Sequence, residues 1–149
     1  MIQRIQSLFL LLAAIAGGAM GSFDLWKATL TRGATTAVET FNATSSYLIF
    51  TVLMVSTILS LVTIFLYKKR KLQFRLTVLN ILLAIGILAL IYFKVQDTAN
   101  ALQSSGAIIV RANYLLPAFL PVVMVVCLFL AARGIYKDEK LIKSLDRLR

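Results

Sequence analysis

LTVLNILLAIGILALIYF, from Leu76 to Phe93, carries no charged side chain and is about as long as the ~20 residues a helix needs to cross ~30 Å of hydrocarbon. Its neighbours repeat the pattern. Uncharged runs also extend from Ile5 to Phe23, from Thr40 to Tyr67 and from Ala112 to Ala132. No sizeable soluble domain fits in what is left of the 149 residues, because the longest segment between runs reaches only from Asp24 to about Ser46. The predicted fold is an all-α membrane protein, a four-transmembrane-helix bundle in one membrane domain, 1–149. Its spans fall at about 5–23, 47–67, 76–93 and 114–132, with outer segments 24–46 and 94–113, a cytoplasmic loop 68–75 and a cytoplasmic tail 133–149.

Composition narrows the chemistry. A chain that is 60% hydrophobic with a net charge of +10 is ordinary for a membrane protein with basic cytoplasmic segments and odd for a nucleic-acid binder, so no nucleic-acid partner is expected. Histidine is absent and Cys127 is the single cysteine. Haem ligation, paired-thiol redox chemistry and zinc hydrolysis all need residues of these types in sets, so no cofactor or metal is expected. Cys127 lies within the fourth run and reads as a small buried hydrophobe.

Met1 to Met20 has the outline of a cleaved secretory signal, with Arg4 in its leader and Ala16, Gly17, Gly18 and Ala19 as small residues at its end. A retained helix is the expected outcome, since the leader is weakly basic and the run is long enough to span. Ala13, Gly17 and Gly21 recur every four residues as a small-residue ridge that allows close helix approach, within the chain or in a homodimer.

Charge sets the orientation. Twelve of the sixteen Lys and Arg fall in three segments: Arg4; Lys68, Lys69, Arg70, Lys71 and Arg75; and Arg133, Lys137, Lys140, Lys143, Arg147 and Arg149. The other four are Lys27, Arg32, Lys94 and Arg111, so the positive-inside rule places both termini in the cytoplasm. Trp26, Tyr47, Tyr67, Tyr92 and Tyr114 mark the expected water boundaries as an aromatic belt. The basic cluster Lys68, Lys69, Arg70 and Lys71 suits topogenesis with contact to anionic lipid headgroups, or docking of an acidic partner.

Outside the bilayer, Leu25–Thr31 and Thr35–Phe41 are rich in Thr, Val, Leu and aromatics about Gly33 and Ala34, which predicts a hairpin. A lone two-stranded ribbon is marginal. Gly106–Arg111 is the expected third, supporting strand of a small extracytoplasmic β-rich cap. Inside the bilayer no ionisable acid or base falls in any predicted span, which disfavours an ion-coupled pathway. A polar seam of Ser56, Ser60 and Thr63, with Asn80 on the third span, suits interhelical hydrogen bonding or, alternatively, a wet path. Pro117 and Pro121 predict a kink or a broken first turn in the fourth span.

From Ile135 onward the pattern is that of an amphipathic cytoplasmic helix, with Leu141, Leu145 and Leu148 on one face and charges including Arg147 opposite. Asp138 falls near the apolar stripe. Either it sits at a helix start, where the dipole favours a carboxylate, or it holds Arg75, Lys71 or a residue of another protein.

The opening Met-Ile-Gln-Arg-Ile-Gln and the closing Lys-Asp-Glu-Lys-Leu-Ile-Lys-Ser-Leu-Asp-Arg-Leu-Arg, Lys137 to Arg149, resemble the ends of a Bacteroidota family of small four-span membrane proteins known only as a domain of unknown function. The resemblance rests on about 20 residues plus length and layout. It implies an inner-membrane location in a Gram-negative cell and supplies no activity, substrate or catalytic residue. The expected role is a non-enzymatic accessory or scaffold subunit, using its tail and cap to contact membrane lipids and either a membrane-protein partner or a second copy. The alternative is a small carrier or lipid-handling protein with a cavity between spans two, three and four. An enzyme is disfavoured because no spacing pairs a nucleophile with a base.

Overall fold

A computed structural model of the chain describes residues 2–32, 35–67 and 69–146, with the side chains at 2–4, 32 and 143–146 outside the description. The protein is mostly helical, with one small sheet. In chain order it comprises α1 (Ile2–Met20), β1 (Asp24–Arg32), β2 (Thr35–Asn42), α2 (Tyr47–Phe65), α3 (Arg70–Ser104), β3 (Ile108–Tyr114) and α4 (Leu120–Asp146). Single 3-10 turns at Ala43–Ser45 and Leu116–Phe119 lead into α2 and α4.

Three helical segments, Tyr47–Phe65, Arg70–Ser104 and Leu116–Ile142, are long and apolar enough to cross a membrane, while the described apolar part of α1, Ile5–Met20, is shorter. Their most apolar windows are only 28%, 28% and 39% buried, so most of that surface faces outward. Leu8, Ile15, Ile58, Leu82, Val126 and Phe129 are all roughly half exposed. Leaving such a surface in water forfeits the burial that folds a soluble chain. It is the surface of a membrane protein.

Inside, α1 packs on α2 and α4, and α3 packs on the same two helices. Leu10, Ala13, Ala16, Ala84, Met124, Cys127, Leu128 and Ala131 form one core, in which the Cys127 thiol fills space as a small hydrophobe. Two members of the small-residue ridge, Ala13 and Gly17, are occupied by the chain itself, while Gly21 lies past the end of α1, where a Cβ would meet only the Gly18 carbonyl. Ala13 is fully buried, and a Cβ on Gly17 would run into Thr57 Oγ1 of α2 and approach Met124 of α4. Close approach of α2 is therefore what Gly17 permits.

The sheet has the order β2-β1-β3, antiparallel throughout, with Thr29 opposite Val38 on one side and Arg111 on the other. Trp26, Ala28 and Leu30 alternate toward the core as strand periodicity requires, and a register shift between Asp24 and Trp26 allows Leu25 to be buried as well. They join Met20, Ile49, Leu53, Ile87, Ile91 and Val95 in a second core, which seats the sheet on the end of α1, the start of α2 and the second half of α3. This answers the marginal stability of a lone hairpin. The third strand and the helices supply its missing support.

Two elements differ from the charge-based boundaries. Helix α3 runs past its apolar stretch at both ends, because Arg70–Arg75 consists largely of good helix formers and Val95, Ala99 and Leu102 continue the stripe beneath the sheet. It stops at Gly106, which takes φ +78° while the Ala107 N–H bonds to the Leu102 carbonyl. The tail is no separate helix, since α4 continues unbroken from Leu120 to Asp146. The prolines act at its start, Pro117 within the 3-10 turn and Pro121 at the second helical position, where a missing N–H costs little.

Candidate functional site

Two buried polar clusters organise the helices. The first begins at the tight turn after α2, where the Leu66 N–H bonds to the Thr63 carbonyl and the Lys69 N–H to the Leu66 carbonyl. Folding α3 back antiparallel brings residues equidistant from that turn face to face. Ser56 Oγ donates to Asn80 Oδ1, and Asn80 Nδ2 donates to Ser60 Oγ at 2.7 Å and to the Ser56 carbonyl at 3.2 Å. Nearer the turn, Gln73 Nε2 donates to the Thr63 carbonyl at 3.2 Å. The hydroxyls of Ser60, Thr63 and Thr77 bond back to carbonyls one turn earlier, at 3.1, 2.6 and 2.8 Å.

Of the predicted seam, Ser56, Ser60 and Asn80 are thus joined across α2 and α3 while Thr63 takes part through its carbonyl, and all four are at most 1% exposed. Gln73, which reaches the Thr63 carbonyl, and Thr77, which bonds within α3, are buried in the same stripe and are absent from the sequence reading. Their spacing of 73, 77 and 80 is one helical stripe, and that signal could have found them. No buried side-chain nitrogen or oxygen among the described residues lacks a partner. With its hydrogen bonds spent between the helices or on carbonyls within them, the seam offers rigidity more readily than a solvated path.

The second cluster is charged. Asp138, 6% exposed, lies well inside α4, which overturns the helix-start reading. Its Oδ2 accepts from Gln6 Nε2 of α1 at 2.8 Å and lies 3.1 Å from Arg70 of α3. One carboxylate therefore ties three helices. Arg70 takes the role expected of Arg75 or Lys71, both of which are exposed, and Phe74 stacks at a tilt on Tyr136 nearby with ring centroids 6.1 Å apart. Gly134 makes room for this brace, because a Cβ there would stand 2.8 Å from Gln6 Cγ. Gln6 escaped the sequence reading, having no charge or motif to single it out.

The remaining predicted contact residues are dispersed on the surface. Lys69 and Lys71 are exposed, as is Leu141, at 53%. Lys68, Arg147, Leu148 and the side chain of Leu145 lie outside the described residues. On the cap, Ile108 and Val110 of the edge strand β3 are 71% and 65% exposed, and Val38 of the other edge strand is 54% exposed.

Against known proteins, residues 2–148 match the family described as Domain of unknown function (DUF4293), and the chain belongs to that family. No curated protein matches it.

Proposed function

We propose that this member of a family without an assigned activity is a four-span protein of the cell inner membrane, with both termini in the cytoplasm, that serves as a non-enzymatic accessory or scaffold subunit. Helix α1, 19 residues long, measures about 28 Å at 1.5 Å per residue and supplies the fourth crossing. The distribution of Lys and Arg, twelve against four, supports the orientation.

One observation carries the functional part. The buried polar groups are committed to one another in the two clusters, whereas the ends that project from the apolar belt present Leu141 and Ile142 on the tail and Ile108 and Val110 on the cap edge, all at least 41% exposed. Apolar side chains at the ends of a membrane protein are suited to contact with other membrane components. Substituting Leu141→Asp with Ile142→Asp tests this better than truncating the tail, which would remove Asp138 and the brace. Co-purification in mild detergent should lose partners in that variant; an unchanged set of partners counts against tail docking.

A carrier or lipid-handling role draws on a cleft of about 220 Å³ between α3 and α4, walled by Leu88, Ile91, Phe119 and Val122. Accelerated transfer of a fluorescent phospholipid between vesicles containing the protein would favour it over the scaffold.

A further inference from the structure

A second, smaller cleft opens between α1 and α4 on the brace side of the molecule, about 160 Å³ in volume, with Gln6 at its floor. Arg133 and Lys137 stand over it one helical turn apart on α4, both exposed, and neither makes an ion pair or hydrogen bond among the described residues. The nearest acid in sequence cannot neutralise them, since Asp138 is already held by Arg70 and Gln6. Gly134 lies between the two cations and keeps the cleft open where a larger residue would fill it against Gln6. The remaining wall is apolar: Ile5, Phe9 and Leu130, at the end of the uncharged run that stops at Ala132.

The geometry points to a binding site for the phosphate of a phospholipid with net negative charge, held by Arg133 and Lys137, with an acyl chain lying along Ile5, Phe9 and Leu130. The volume is roughly five times the ~30 Å³ that a water molecule occupies in the liquid. That is room for a headgroup phosphate. A guanidinium fork can take two phosphate oxygens while the ammonium acts as a mobile point charge, and two unneutralised cations favour an anionic lipid over a zwitterionic one. A free phosphate ion would leave the apolar wall unused. The inference rests on the reading that α1 and α4 cross the bilayer, and is independent of the scaffold role.

The test uses the full chain in nanodiscs of phosphatidylcholine containing a minor fraction of phosphatidylglycerol, extracted into mild detergent, with retained lipid identified by native mass spectrometry. The wild type should retain phosphatidylglycerol selectively. Arg133→Gln with Lys137→Gln should lower that retention about tenfold or more, since a direct hydrogen bond to a charged phosphate is worth about a tenfold factor by itself. Lys27→Gln with Lys94→Gln removes the same charge from exposed positions elsewhere and should change retention less than about twofold. Equal losses in the two pairs would assign the effect to diffuse surface attraction and overturn the site. Displacement of the lipid by millimolar inorganic phosphate would assign the cleft to a free anion and overturn it too. Failure to enter nanodiscs at all would sink the membrane-crossing reading together with the site, whereas entry without lipid preference would sink the site alone.

Discussion

The seam between α2 and α3 and the brace at Asp138 are both buried and polar, yet they hold the helices by different means. In the seam, neutral groups bond across one helix pair, and the hydroxyls of Ser60, Thr63 and Thr77 are held by carbonyls of their own helices. In the brace, one carboxylate serves two helices at once and has no such substitute. The seam should therefore lose stability gradually as its members are removed. The brace should fail at a single substitution, because removing the buried carboxylate takes the partner from Gln6 and from Arg70, whose side chain is only 23% exposed, at one stroke.

The largest effect is expected from Asp138→Ala, which removes the Gln6 bond and the Arg70 pair together. Unfolding by SDS titration in mixed micelles should show a loss of about 3 kcal/mol. The double variant Arg70→Leu with Asp138→Leu should recover part of that loss, and failure to do so would deny the coupling that distinguishes brace from seam. Next comes Gly17→Leu, which forces α1 away from Thr57 and should cost about 1–3 kcal/mol in the same titration.

Asn80→Leu should cost about 1 kcal/mol, since interhelical hydrogen bonds in bilayers average ~0.6 kcal/mol with ~1.7 at the upper end, and Ser60 retains its bond to the Ser56 carbonyl. A loss as great as that of Asp138→Ala would erase the contrast. The smallest change belongs to Lys94→Ala, whose partner Asp97 lies 3.8 Å away and whose side chains are 47% and 77% exposed. Screening by water should keep it below about 0.5 kcal/mol, a reference for an ion pair that braces nothing.

Much of the seam was legible beforehand. Ser56, Ser60 and Thr63 fall on one helical face, and a polar residue in an apolar run has few uses other than bonding to a neighbouring helix. The sheet was legible for a similar reason, as β-branched residues on either side of a glycine in the sequence favour a hairpin whatever lies beneath it. The brace was legible only by half. Asp138 stood out as misplaced on its amphipathic face, but choosing Arg70 among five neighbouring cations, and adding Gln6 from 132 residues away, depends on helix rotation.

Charge-free length, basic asymmetry and local strand chemistry are properties of short stretches. Water and hydrocarbon act on each stretch separately, so the helices, the expected sidedness and the three strands could be inferred from residue order alone. Partner choice among the helices follows another logic. It depends on the phase and depth at which four cylinders meet, and those are set by close packing at Gly17 and Gly134 and by the turn before Arg70. A rotation of one residue, ~100° about a helix axis, would turn Asp138 away from Arg70 and Gln6 while leaving hydropathy along the chain unchanged.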